Sequence, residues 1–156
     1  MNLQDLVSPD SVICDADINS KKRALEVLAD LLAKHSDTDN SLEIFHQLTE
    51  REKLGSTSLG RGIALPHART KLCNQAAGAF IKLKKGIDFD SPDHEPTDLL
   101  FALIVPEHYT DEHLEILASI ASLFNEKNFC DNLRTADTNK ELHNRLTSWH
   151  ITSQVS

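Results

Sequence analysis

Leu99-Leu100-Phe101-Ala102-Leu103-Ile104-Val105-Pro106 is an unbroken apolar run closed by a proline. A strand with one wet face alternates, so a run without alternation is expected of a central strand covered on both sides. Pro106 brings no N–H to a ladder and should end it. Upstream, Ala76 to Leu83 does alternate, with Ala77, Ala79, Ile81 and Leu83 on one face and Phe80 and Lys82 on the other, and reads as a second strand. The segment between them, Lys84-Lys-Gly-Ile-Asp-Phe-Asp-Ser-Pro-Asp93, is rich in turn residues. Ile63-Ala64-Leu65 makes a shorter apolar strand ended by Pro66, and Ser11 to Cys14 another after Pro9.

Helical periodicity surrounds these strands. Met1 to Val7 forms a short leading helix. Ser20 reads as the N-cap of a helix to about Lys34, with Ala24, Leu25, Leu28, Leu31 and Leu32 on its buried face. Lys21-Lys22-Arg23 then puts three cations where the helix dipole disfavours them, which reads as a solvated basic patch or as a surface facing an anion or partner. Asn40 with Glu43 makes a capping box for a second helix to about Lys53, with Ile44, Phe45 and Leu48 inward and Gly55 stopping it. Thr110 caps a helix to about Asn125 with Leu117, Ile120, Ala121 and Phe124 inward, and 127–135 and 139–149 are two more, the last residues being expected to fray. Helices flanking several strands imply the α/β class, a sandwich of sheet and helices.

The 156 residues suffice for one domain, 1–156, with a sizeable core, a chain of this size burying about 70% of its unfolded surface. No stretch approaches the roughly 20 apolar residues of a membrane span. The N-terminus Met1-Asn-Leu-Gln-Asp5 lacks the basic and apolar regions of a secretory signal, so a cytoplasmic location without membrane insertion is expected. A net charge of −8 excludes a nucleic-acid role, which needs clustered cations, and suits docking to a basic protein. Cys14, Cys73 and Cys130 are odd in number and widely spaced, which fits reduced structural thiols.

The chemistry gathers around Gly55-Ser-Thr-Ser-Leu-Gly-Arg-Gly-Ile-Ala-Leu-Pro-His-Ala-Arg69. Pro66 should leave His67 at an exposed strand terminus with Arg69 two residues on, an arrangement that suggests an anion or phosphoryl site. Arg51, in the last turn of the second helix, is within reach of the same place. His113 falls in the first turn of the helix after Pro106, on the edge of its apolar stripe. The N-terminal dipole of that helix favours a nearby anion and a neutral imidazole, and only a neutral ring has the lone pair a phosphoryl acceptor needs. If the strands ending at Pro66 and Pro106 are neighbours, His67 and His113 share one site. Gly55-x-x-x-x-Gly60 lacks the lysine and hydroxyl of a phosphate-binding P-loop. Glu107-His108 and Glu112-His113 are spaced so that they do not stack on one helix face, so no metal site is read. The remaining histidines, His35, His46, His94, His108, His143 and His150, are expected to be exposed.

Thr49-Glu-Arg-Glu-Lys-Leu-Gly-Ser-Thr-Ser58, Gly62-Ile-Ala-Leu-Pro-His-Ala-Arg69, Asp98-Leu-Leu-Phe-Ala-Leu-Ile-Val-Pro106 and His113-Leu-x-x-Leu117 together resemble the enzyme IIA domains of the mannitol/fructose class of the phosphotransferase system. Ser20-Lys-Lys-Arg-Ala-Leu-Glu26 and the Arg51 motif resemble the nitrogen-regulatory branch most, and the resemblance spans about residues 3–148. It implies a mixed β-sheet sandwiched between helices, and a phosphoryl group carried on a histidine nitrogen. The donor would be a phosphorylated HPr-like phosphocarrier, charged from phosphoenolpyruvate by an enzyme I. By motif position His67 is the acceptor, as the tele-phosphohistidine, His113 the second active-site histidine and Arg51 the phosphate-facing cation. No cofactor and no metal are implied. The nitrogen branch further implies signalling through phosphorylation-dependent binding to regulatory target proteins, such as potassium transport or sensor proteins. Ala68-Arg69 stands where that branch often has Gly-Lys, keeping a cation at 69, and Glu115 where some members carry another histidine. Two other readings are a sugar-specific enzyme IIA feeding a membrane transporter and a binding module that is never phosphorylated.

Overall fold

The computed structural model describes residues 3–36 and 38–155, with side chains up to 148. Six strands form one sheet: β1 (Val12–Ala16), β2 (Ser58–Gly60), β3 (Ile63–Ala64), β4 (His67–Thr70), β5 (Ala77–Ile87) and β6 (Thr97–Pro106). The order is β1-β5-β6-β3-β2, with β4 also on β6. The sheet is mixed, since β1 runs parallel to β5 and β3 and β4 parallel to β6, whereas β5–β6 and β2–β3 are antiparallel. The apolar run is the middle of β6, buried at every residue from Leu99 to Pro106.

β3 and β4 are two pieces of one strand laid along the same edge of β6: Ile63 and Ala64 pair with Leu99 and Leu100, and His67 to Thr70 with Leu103 to Pro106. Pro66 interrupts them because it has no N–H, yet its carbonyl accepts from the Leu103 N–H at 2.9 Å. His67 therefore opens β4 and is half-buried, rather than standing at an exposed terminus as expected.

Helices α1 (Lys21–His35) and α2 (Ser41–Lys53) cover one sheet face. Leu25, Leu28, Leu32, Ile44 and Leu48 meet Ala77, Ala79, Ile81, Leu100, Ala102 and Ile104 there. Helices α3 (Asp111–Phe124), α4 (Lys127–Arg134) and α5 (Asn139–Val155) cover the other. Phe80 and Phe101 of the sheet pack on Phe124 there, at ring-centroid distances of 5.7 and 6.1 Å, and Phe129 packs on Phe124 at 5.2 Å. The period-2 pattern of β5 thus divides its side chains between two cores, as the alternation predicts.

Several local expectations are corrected. Ser20 caps α1 through the Arg23 N–H at 3.1 Å, but Asn40 and Thr110 make no side-chain cap bond. Glu43 accepts from Gln47 one turn on, at 3.3 Å, instead of reaching back to Asn40. Thr110 has helical backbone angles itself, φ −108° and ψ −70°, which do not present its hydroxyl to the third helical N–H. The leading helix is a 3-10 turn at Leu3–Asp5, Met1 and Asn2 lying outside the described residues. β5 runs on through the turn-rich segment to Ile87, with an irregular register between Lys82 and Ile87. Helix α5 continues past Trp149 to Val155. The glycines of the loop before His67 serve a tight turn from β2 to β3, with Gly60 at φ +80° and Gly62 at φ +82°. A Cβ on Gly62 would lie 2.6 Å from an Arg134 Nη atom and 2.8 Å from Asp98 Oδ1, so this turn packs on α4 and not against His67.

Candidate functional site

The interrupted strand and the turn after β6 build the site. β6 extends past the register of His67 to Pro106, the chain reverses through Tyr109, whose N–H bonds the Pro106 carbonyl at 3.0 Å, and α3 begins. Its first turn carries His113 back over β4, so the two imidazoles meet edge to face with centroids 5.5 Å apart and planes at 71°. The expectation that the strands ending at Pro66 and Pro106 are neighbours therefore holds. Arg51 arrives from the last turn of α2, held by a 2.9 Å bond from Nη1 to the Gly55 carbonyl, and lines the same open basin as both histidines.

Nδ1 of His67 lies 2.7 Å from the Leu65 carbonyl oxygen. A carbonyl only accepts, so Nδ1 carries the proton and Nε2 keeps its lone pair. Burial lowers the His67 pKa, the Arg51 charge adds to this, and the Leu65 carbonyl and Glu52 oppose it. His113 is pushed down to about 4, first by burial, then by repulsion from His67 once that ring is protonated, and by the Arg69 charge. Both shifts favour the neutral ring. The expected neutrality of His113 holds, with burial as its leading cause in place of the helix dipole. Its Nε2 is buried with no hydrogen-bond partner among the described residues. Such an atom is costly unless something fills its place.

A support for Arg51 went unread in the sequence. Glu52, next in the chain, is buried and accepts from the Thr57 N–H at 3.2 Å and from the Thr57 hydroxyl. Lys21 reaches it from the first turn of α1 at 3.0 Å, bonds Asp90 at 3.0 Å, and lies 4.7 Å over the Phe89 ring. Lys21 thus leaves the basic patch and becomes an internal brace, while Lys22 and Arg23 stay at the surface. The readable signal was the pairing of two misplaced charges, an acid in the last turn of one helix and a cation in the first turn of another. The rim of the basin carries Leu54 and Leu114, 84% and 67% exposed.

The other singled-out histidines lie apart from this basin, save His46, which is exposed on its rim; Glu107 also lines it. His94 and His108 are exposed, His35 and His143 half-buried, and the His150 side chain is outside the described residues. The three cysteines are free, and burial raises the Cys73 thiol to about 11, far from a reactive value. Among the described residues no helix is long and apolar enough to cross a membrane.

Comparison with known proteins identifies the family and the fold. Residues 5–149 match the family model described as "Phosphoenolpyruvate-dependent sugar phosphotransferase system, EIIA 2". A "Nitrogen regulatory protein" of Pseudomonas aeruginosa is 41% identical over 143 residues, covering 92% of this chain and 93% of that protein. The crystal structure of nitrogen regulatory protein IIA-Ntr from Neisseria meningitidis superposes with a TM-score of 0.86 at 39% identity, covering 93% of this chain and 99% of that one. The IIA mannitol structure from Escherichia coli shares the fold, with a TM-score of 0.74 at 17% identity over 90% of this chain and 98% of that one. With its sheet, helices and nearly whole length accounted for in this way, the chain belongs to the type 2 enzyme IIA family of the phosphoenolpyruvate-dependent phosphotransferase system, among relatives named nitrogen regulatory proteins.

Proposed function

We propose that this chain is a regulatory phosphocarrier that accepts a phosphoryl group on Nε2 of His67 from a phosphorylated HPr-like protein. Its two phosphorylation states then bind target proteins differently. The observation that carries the reading is the 2.7 Å contact between His67 Nδ1 and the Leu65 carbonyl, which leaves Nε2 as the nucleophilic atom beside His113. In the transfer, the P–N bond to the donor imidazole breaks as the P–Nε2 bond to His67 forms. The displaced ring keeps its electron pair, and the proton of His67 stays on Nδ1, donated to the Leu65 carbonyl, so no proton leaves the accepting ring. His113, neutral, donates from Nε2 to a phosphoryl oxygen, which gives that buried atom its partner. Arg51 pairs with the added charge of about −1.5 to −2. Fixed donors of this kind stabilise the transferring group with little reorganisation. The nitrogen-regulatory names of relatives covered over most of their length favour signalling over sugar transport.

The test is incubation with phosphoenolpyruvate, an enzyme I and the HPr-like carrier, followed by detection of an acid-labile phosphoprotein. Wild type should be labelled and His67→Ala should not. An unlabelled wild type, or labelling that survives in His67→Ala, would overturn the reading.

A further inference from the structure

We propose that Arg69 is a second phosphate-binding cation, holding the phosphoryl group from the side of His113 while Arg51 holds it from the side of α2. The inference rests on the reading of His67 as acceptor. β4 is a four-residue strand in which His67 and Arg69 point to the same side, while Ala68 and Thr70 between and after them are buried on the other. Its register is fixed by β6, with His67 opposite Leu103 and Arg69 opposite Val105, so Arg69 has a set position relative to the acceptor. Arg69 lines the basin together with His67, His113 and Arg51, and its charge is felt at His113.

Charge balance gives the cation a task. Both histidines are neutral, and one Nη of Arg51 is already committed to the Gly55 carbonyl. A group of about −1.5 to −2 therefore faces a single formal positive charge unless Arg69 joins it. Arg69 makes no ion pair among the described residues, although Glu107 and Asp111 line the same basin, and Glu107 lies 3.9 Å from Lys71. An exposed arginine without a carboxylate partner keeps its full fork of donors for a phosphoryl oxygen.

The experiment compares phosphorylated wild type, Arg69→Gln and Arg69→Lys, each loaded through the enzyme I and HPr-like relay to completion. The readout, free of any partner, is the 31P NMR titration of the phosphohistidine. Removing one nearby charge in a solvent-open site should raise the midpoint by about half a pH unit in Arg69→Gln, and Arg69→Lys should restore most of the shift. The phosphohistidine of Arg69→Gln should also be loaded about tenfold more slowly. A labelled wild type whose midpoint is unchanged in Arg69→Gln overturns the role of Arg69 alone. A wild type that is never labelled overturns the acceptor reading and this inference with it.

Discussion

Acid should unfold this protein through His113 before most of its carboxylates protonate. The ring titrates near 6.5 in an unfolded chain and near 4 in the native site, where burial, a protonated His67 and the Arg69 charge disfavour the imidazolium. The sign follows from which state takes the proton first. As pH falls below 6.5 the unfolded chain binds it and the native chain does not, so stability present above that pH is lost between 6.5 and 4. By pH 5 an unfolded ring is about 97% protonated and the native one about 9%, a difference of about 2 kcal/mol. Solvent reaches part of the ring and screens its neighbours, which reduces this to about 1 kcal/mol. Urea unfolding followed by far-UV circular dichroism, at about pH 7.5 and about pH 5, on wild type and His113→Asn measures it. Wild type should lose about 1 kcal/mol more than the variant over that interval. His67, also depressed, acts with the same sign in both proteins, and because its charge bears on His113 the difference between the two reads the coupled pair. Equal losses, or a larger loss in His113→Asn, would refute the argument that this histidine is held neutral against its own preference.

Further outcomes bear on the transfer and on the fold. His113→Ala should still accept phosphate but pass it on poorly, because Nε2 of His67 is untouched while a donor to the phosphoryl oxygens is gone; full forward and reverse transfer would refute that role. Arg51→Ala should slow transfer in both directions by about tenfold to a hundredfold, less than for a donor in a closed site because the basin is open. Rapid-quench measurements giving unchanged rates would remove Arg51 from the site. Lys82→Met should cost about 1–3 kcal/mol in urea unfolding, since buried Nζ bonds the Arg134 carbonyl at 2.9 Å, the Ala136 carbonyl and Asp15 at 3.1 Å. The lower part of the usual range for a broken buried pair applies because the Asp15 side chain is 41% exposed and can hydrate; a cost under about 0.5 kcal/mol would deny the tie.

Features set by repeating pattern were legible, and features set by a single long-range contact were not. The unbroken run of β6 and the alternation of β5 each state how many faces are covered, which is enough to place helices on both sides of the sheet. His113 could be placed on its helix because Leu117, Ile120, Ala121 and Phe124 read as one stripe, although the buried Ile116 was missed and Leu117 and Ala121 are half-buried. Lys82 fell beside Phe80 on the second face of β5 by count, but nothing local says that it spans to the chain reversal after α4 to satisfy two carbonyls. Glu52 and Lys21 each look misplaced in their own helix and make sense only as a pair across α1 and α2. Capping failed at Asn40 and Thr110 because the motif names a residue type, whereas the bond requires a backbone angle that the neighbouring turn decides.

The proton on Nδ1 of His67 follows from where the Thr57 N–H points. In a strand the N–H and C=O of one residue face the same neighbour, and for Leu65 that neighbour lies on the β2 side. Its N–H is taken by the Thr57 carbonyl at 3.0 Å, the residue just before β2. The Thr57 N–H that would return the bond in an antiparallel pair is turned to Glu52 Oε1 at 3.2 Å instead, so the β2 side supplies no N–H to the Leu65 carbonyl. A buried carbonyl needs a donor. His67, two residues on and held by the register of β4 on β6, provides one from Nδ1 at 2.7 Å. Had the Thr57 N–H turned to this carbonyl instead of to Glu52, the carbonyl would be occupied, either ring nitrogen of His67 could carry the proton, and nothing would fix which one remains nucleophilic. Glu52 at the end of α2 therefore acts on the tautomer of His67 by drawing off the Thr57 N–H, while the same last turn, with Arg51 on it, stands at the edge of the basin.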